Sequence, residues 1–178
     1  MSEQLHPNVV RVVEAAAARG LAIEPRSFPD GTKTAADAAA AIGVQLGQIV
    51  KSLIFAVDGR VVLAYVSGAN QLDERKLAAA AGGAKCARID ADAVRVATGF
   101  PIGGVPPFGH LTHLDVFIDP DLLQYDEVWA AAGTWTRGCG IEPHKLRGAS
   151  EGLVTDLKRS GAGGPRGYVG GDERRQGD

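Results

Sequence analysis

The chain has 178 residues, 45% apolar and 22% charged, with 19 Lys and Arg against 21 Asp and Glu for a net charge of −2. That length suits one domain with a genuine core, and the charge balance excludes a strongly basic coating protein while leaving room for a local basic patch. There is no apolar run near the ~20 residues that span a bilayer, no basic-then-apolar leader, and only Cys86 and Cys139 as thiols, so neither a membrane protein nor a disulfide or four-thiolate zinc scaffold is expected, and the cytoplasm is the expected compartment.

In chain order, Val9 to Ala18 has the apolar spacing of an amphipathic helix, and Gly20 stops it. An extended stretch around Ile23 and Phe28 leads into Pro29-Asp30-Gly31, a turn signal. Thr34-Ala-Ala-Asp37 reads as a capping box opening a helix through Ala41, with Gly43 as its stop. Ile49 to Val57 is a strand, Asp58-Gly59 a two-residue hairpin turn, and Arg60 to Ser67 the partner strand. Asp73 to Ala81 predicts a helix, Cys86 to Ile89 a short strand, and Asp90 the cap of a helix through Ala97. From Gly99 to Gly109 there are four glycines and three prolines in eleven residues, which no helix or central strand tolerates. Strands resume at Leu114 to Ile118 and Glu127 to Ala132, and Pro143 starts a last short helix. Residues 1–159 are read as one domain and 160–178, glycine-rich and polar, as a disordered tail. The irregular interleaving, with a hairpin, predicts a mixed sheet in an α+β or α/β domain.

Lys51 is the most unusual residue. It lies inside IVKSLIF, where alternation puts Ile49, Lys51 and Leu53 on one face and Val50, Ser52 and Ile54 on the other. An amine on an apolar face must reach water, find an acidic partner or shift its pKa. The plain alternative is a lysine snorkelling at a strand edge. The Gly103-Gly104-Val105-Pro106-Pro107 loop combines backbone freedom with rigid prolines, a form suited to presenting amides to a carbonyl, although it also suits an ordinary crossover. Lys51-Ser52 lacks the glycines of a phosphate loop, and no Gly-x-Ser-x-Gly elbow is present. His110 and His113, with Asp115 near, sit in loop-to-strand context and read as loop histidines rather than metal ligands. Cys86 and Cys139 read as core filler. Arg75, Lys76, Lys85, Arg88 and Arg95 are interleaved with acids and read as a solvated face, or as a phosphate-tracking one if they share a side.

A strand-borne lysine in IVKSLIF, followed some fifty residues later by a Gly-x-x-x-Pro loop, resembles the YbaK/EbsC family, which includes the editing insertion domain of bacterial prolyl-tRNA synthetase. The similarity runs from about Val9 to Leu157 and takes in Thr34-Ala-Ala-Asp37-Ala-Ala, TGFPIGGVPPFGH, VFIDPDLL and VWAAAGT. The resemblance implies an α+β fold with a mixed, barrel-like sheet and peripheral helices. It also implies a free-standing, trans-acting deacylase that hydrolyses the ester of a mischarged aminoacyl-tRNA, typically a small amino acid on the proline tRNA. Lys51 matches the family's essential lysine, Gly103 and Pro107 bracket its substrate-positioning loop, and Phe28 and Thr34 fall where relatives line the pocket.

Two departures bear on specificity. Cysteine-specific relatives carry a Lys-Arg-Gly-Leu-Asp phrase where this chain reads TWTRGCGI, and alanine-specific ones carry asparagine where Ser52 stands. An aminoacyl ester is already activated, so water or a ribose hydroxyl can attack once the carbonyl is held, and neither a nucleophile nor a cofactor is expected. The expected partners are the acceptor end of an aminoacyl-tRNA and, beyond it, a synthetase. Two other readings compete: a module that binds aminoacyl-tRNA or a synthetase without turnover, and an enzyme whose lysine forms a Schiff base.

Overall fold

Val9, Val12 and Ala16 recur at helical spacing, and in the computed structural model of the chain, which describes residues 4–28 and 34–160, they form the buried face of α1 (Pro7–Ala18). Pro7 stands at the first turn, where a missing N–H costs nothing, and His6 Nδ1 accepts from the Asn8 amide. The predicted Pro29-Asp30-Gly31 turn and all of the predicted tail except Ser160 lie outside the described residues.

β1 (Arg26–Ser27) is followed by α2 (Ala35–Ile42), where Thr34 Oγ1 accepts from the Asp37 amide at 3.0 Å and Gly43 ends the helix at a φ of 87°. A 3₁₀ turn (Leu46–Gln48) leads into β2 (Val50–Val57) and β3 (Arg60–Ser67), paired antiparallel through the Asp58-Gly59 turn. Both turn residues have positive φ, 49° and 86°, which matches strand twist in a two-residue hairpin. α3 (Glu74–Ala80) and α4 (Ala91–Thr98) flank β4 (Cys86–Arg88), each opened by an aspartate cap, Asp73 and Asp90. Then come β5 (Asp115–Ile118), a 3₁₀ turn (Pro120–Gln124), β6 (Val128–Ala131), β7 (Arg137–Ile141), α5 (Pro143–Ser150) and β8 (Leu153–Val154).

The strands form a five-stranded mixed sheet ordered β4-β2-β3-β5-β8 and a three-stranded antiparallel sheet ordered β1-β7-β6. β3 pairs parallel with β5, and β5 with β8, while β2 runs antiparallel to both of its neighbours. The fold is therefore α+β with a mixed sheet, as expected. The barrel-like closure is not seen among the described residues: pairing stays within two sheets, bridged in parallel at Ile49 and Trp129.

Alternation along β3 divides the interior. Leu63 and Tyr65 enter the larger core with Phe100 and Phe108, whereas Val62, Ala64 and Val66 pack with Leu77 of α3 and Leu157. Both faces of the larger sheet are thus covered, each fully buried large side chain contributing about 1.5–3 kcal/mol. A third small cluster of Phe28, Ala39, Ile49 and Trp129 joins α2 to the junction of the sheets. Lys51 lies next to that junction.

Candidate active site

Lys51 is the second residue of β2, opposite Val66, and is half-buried. Its ammonium donates a hydrogen bond to the backbone carbonyl of Asn70, in the turn that follows β3. Burial pushes the amine below the ordinary lysine value, and the negative charge of Asp119 works in the opposite direction. The cation is thus held by a neutral acceptor and supported by a carboxylate in its surroundings.

Two cavities meet at this amine, with Lys51, Ser52, Leu53, Ile102, Gly103 and Val105 lining both. The first, about 360 Å³, is mostly apolar, with walls from α2 (Ala35, Ala38 and Ile42) and from Phe28 and Trp129. Trp129 is fixed by a 2.8 Å hydrogen bond from its indole N–H to Glu127, and the Arg26 guanidinium lies 5.2 Å from its ring. The second, about 500 Å³, is more polar and adds Gln71, Glu74, Arg88 and Arg159. Arg159 is anchored by Nε to the Leu72 carbonyl and by Nη1 to the Gln71 side chain, both at 3.2 Å. One amine between an apolar cavity and a polar one can bind an ester carbonyl or a phosphate where the two halves of a composite ligand join.

The sequence-predicted residues fall into two groups. Phe28, Thr34, Lys51, Ser52, Gly103 and Val105 line the first cavity, Thr34 while its hydroxyl caps α2. Ser52 Oγ is buried without a hydrogen-bond partner among the described residues. Gly104, Pro106 and Pro107 stand behind the wall and line neither cavity. They are tied to the body of the protein: the Gly104 amide donates to the Pro101 carbonyl at 2.9 Å, and the Gly104 carbonyl accepts from Gly133 at 3.1 Å. His110 Nε2 meets the Pro106 carbonyl at 2.7 Å, and the buried Tyr65 hydroxyl donates to the Pro107 carbonyl at 3.2 Å. Among the described residues, the Gly103 and Val105 amides donate no hydrogen bond, and both residues line the two cavities.

Several residues of the site were not singled out by sequence. Asn70, Asp121 and the buried Asp119 form the polar support behind Lys51, and Trp129, Ile102, Arg137 and Arg159 complete the walls. Ile102, Asp119, Asp121 and Trp129 lie inside phrases that carry the family resemblance, and Asp119 has a local cue besides, the Asp-Pro pair that caps the 3₁₀ turn, but nothing in the sequence singles out their roles. Among the described residues, no three His, Cys, Asp or Glu side chains gather as metal ligands. Cys139 is buried in the main core, which pushes its thiol up to about 12, so it is no nucleophile.

The sequence profile of the aminoacyl-tRNA editing domain matches residues 29–149. The chain superposes with a TM-score of 0.83 and 42% identity on a crystal structure of a candidate trans-editing enzyme for prolyl tRNA synthetase, covering 88% of this chain and 99% of that one. It is 30% identical over 128 residues to EbsC of Enterococcus faecalis, named as a candidate Cys-tRNA(Pro)/Cys-tRNA(Cys) deacylase, covering 70% of this chain and 76% of EbsC. Over 92 residues it is 37% identical to the proline–tRNA ligase of Geobacter sp. strain M21, covering 52% of this chain and 16% of that ligase.

Proposed function

The chain belongs to the aminoacyl-tRNA editing domain family, and on that premise we propose that it is a trans-acting deacylase that cleaves the ester of a mischarged tRNA, a proline tRNA carrying a small amino acid. The observation that carries this reading is the placement of Lys51 where an apolar cavity meets a polar, arginine-bearing one. The aminoacyl group enters the first cavity, against Phe28, Ile42 and Trp129. The terminal nucleotide occupies the second, near Arg88 and Arg159. The ester joining them then lies at the amine.

In this arrangement Lys51 acts as a cation on the carbonyl oxygen or on the phosphate beside it, and the Gly103 and Val105 amides supply further donors as negative charge develops on that oxygen. Water, or a hydroxyl of the terminal ribose, attacks the carbonyl carbon, and the ester C–O bond breaks. The departing ribose oxygen takes up a proton, and the amino acid leaves as a carboxylate, or, after ribose attack, once water has opened the resulting ester. No protein nucleophile is required, because the aminoacyl ester is itself activated toward attack by water or a hydroxyl, and the site contributes position and charge. The likeness to EbsC and to the candidate trans-editing enzyme supports this chemistry, and the likeness to a part of proline–tRNA ligases supports the proline tRNA as acceptor.

The test is a deacylation screen with proline tRNA charged with alanine, serine, cysteine, 2-aminobutyrate or proline. Hydrolysis of at least one small-residue ester, with prolyl-tRNA spared and activity lost in Lys51→Ala, is the expected result. Tight binding of these RNAs without turnover would replace the enzyme with a binding module.

A further inference from the structure

We propose that Asp119 is the positioning residue for Lys51, acting through Asn70: the buried carboxylate fixes the turn whose carbonyl holds the ammonium where the two cavities meet. This rests on the deacylase reading for its consequence in catalysis, but its geometry stands apart from it. Asp119 is 1% exposed and Asn70 8%. One carboxylate oxygen of Asp119 accepts from the Ser67 amide at 3.1 Å and from Asn70 Nδ2 at 2.8 Å, and the other accepts from the Asp121 amide at 2.9 Å. The Asn70 side chain also donates to Asp121 at 2.8 Å, and its own amide donates to the Ser67 carbonyl at 2.9 Å. Asn70 is therefore gripped at its side chain and its amide, leaving its carbonyl facing Lys51.

A structural cap alone would not call for a charge here. The three donors on Asp119 are neutral, so burying its carboxylate is costly unless a cation shares its field. Two cations among the described residues share that field, Lys158 at the surface and the half-buried Lys51, and Lys51 is the one tied to Asp119 through Asn70, whose side chain holds the carboxylate while its carbonyl holds the ammonium. Among the described residues, the other charged groups about Lys51 are Asp121 with its partner Lys158, Glu74 of α3, Arg88 of β4 and Arg159 in the second cavity, and Arg137 of β7 in the first. Three of these are arginines, which oppose a charged amine, and the two acids sit nearer the surface. Asp119 is the anion placed to keep Lys51 protonated.

The experiment follows the Lys51 amine by NMR in full-length protein labelled at the lysine ε-carbon, assigned with Lys51→Met. Its titration is compared in wild type, Asp119→Asn and Asn70→Ala, alongside single-turnover deacylation of alanyl-tRNA. Asp119→Asn is expected to move the titration to lower pH, to shift the alkaline limb of the catalysed rate the same way, and to cut the rate at saturating RNA with little change in affinity. Asn70→Ala is expected to broaden or shift the Lys51 signal and slow the reaction, and it serves if Asp119→Asn does not fold. A folded variant whose Lys51 titrates as in wild type overturns the proposal. Absence of turnover in wild type would count against the deacylase reading alone, since the amine titration tests the Asp119–Asn70–Lys51 link without substrate.

Discussion

The Lys51 ammonium is held by the backbone carbonyl of Asn70, not by a side-chain carboxylate of its own. A backbone acceptor orients the amine without neutralising it, so its charge stays available to a ligand. A direct ion pair would have to be broken before the cation could serve a carbonyl or a phosphate. The cost of this arrangement is burial of a charge that is only partly compensated, and that cost can be read in both activity and stability.

The first prediction concerns activity. Among the described residues, Lys51 is the one cation that lines both cavities, and Lys51→Ala removes it. Deacylation should fall about 100-fold or more, the scale of losing one preorganised charge at a developing oxyanion. Lys51→Arg keeps the charge but not the compact ammonium geometry and should restore only part of it. Single-turnover rates, with circular dichroism to confirm folding, decide the matter; an unimpaired, folded Lys51→Ala protein would remove the amine from the mechanism.

The same burial predicts a stability gain where activity is lost. The folded state lowers the Lys51 pKa below the ordinary 10.5, so the unfolded chain binds the proton more tightly. Stability from this group therefore rises as pH climbs from the folded value toward 10.5, and it is at its poorest below the folded value. Lys51→Met, similar in volume and without charge, should melt at a higher temperature than wild type at neutral pH. The difference should shrink as the pH approaches 10.5. Melting curves across that range test the sign directly, and a difference that stays constant with pH would show that packing, not charge, is responsible.

Much of the scaffold was legible because its signals are local. The Asp58-Gly59 hairpin, the Thr34 cap and the Gly43 stop each depend on a few adjacent residues, and each appears where its chemistry requires. Lys51 stood out because an amine in IVKSLIF is anomalous by alternation alone. β7 was not legible: RGCGI has glycine at two of its five positions, which reads as loop. The glycine at 140 is explained only by the neighbouring strand, since a Cβ there would lie 2.8 Å from the Glu127 carboxyl and 3.1 Å from the Trp129 ring, whereas a Cβ at Gly138 would make only ordinary contacts, 3.5 Å from the Phe28 ring. The Asn70–Asp119 contact spans 49 positions and has no periodic signature. Composition marked Gly103 to Pro107 as one unit, but it could not tell the cavity-facing residues from those tied down behind them.

That division within the loop predicts different outcomes for neighbouring glycines. Gly103 has a φ of +88°, and a Cβ there would meet nothing nearer than Trp135 Cβ at 3.9 Å. Gly103→Ala should cost about 1–2 kcal/mol of backbone strain and impair turnover by placing a methyl beside both cavities. A Cβ on Gly104 would lie 2.9 Å from Thr134 Cα and 3.1 Å from the Gly133 carbonyl oxygen, backbone atoms that cannot swing aside. Gly104→Ala should push the loop away from the Gly133–Thr134 segment at about 1–3 kcal/mol. Gly103→Asn provides the discriminating control, because asparagine tolerates the left-handed region. It should recover the stability lost in Gly103→Ala without recovering the activity, as measured by thermal melts and single-turnover rates.

The last prediction concerns how the site would spare the correct product. A pocket rejects a larger group by overlap, and that rejection lasts only while its wall does not yield; a difference of one methylene is otherwise worth about 1–3 kcal/mol. Here the wall is Val105, and what stiffens it is the Pro106-Pro107 pair behind, pinned by His110 on the Pro106 carbonyl and by Tyr65 on the Pro107 carbonyl. Tyr65 is fully buried and touches neither cavity, so Tyr65→Phe removes one pin while leaving the lining intact. The change should cost about 1–3 kcal/mol, because the Pro107 carbonyl is left buried without its donor. Turnover of alanyl-tRNA should change little, while hydrolysis of prolyl-tRNA should rise, narrowing the ratio between them. Single-turnover rates on both substrates, taken well below the melting temperature of the variant, give that ratio. If both rates fall by the same factor, the hydroxyl supports the fold and the wall owes its stiffness to the prolines alone.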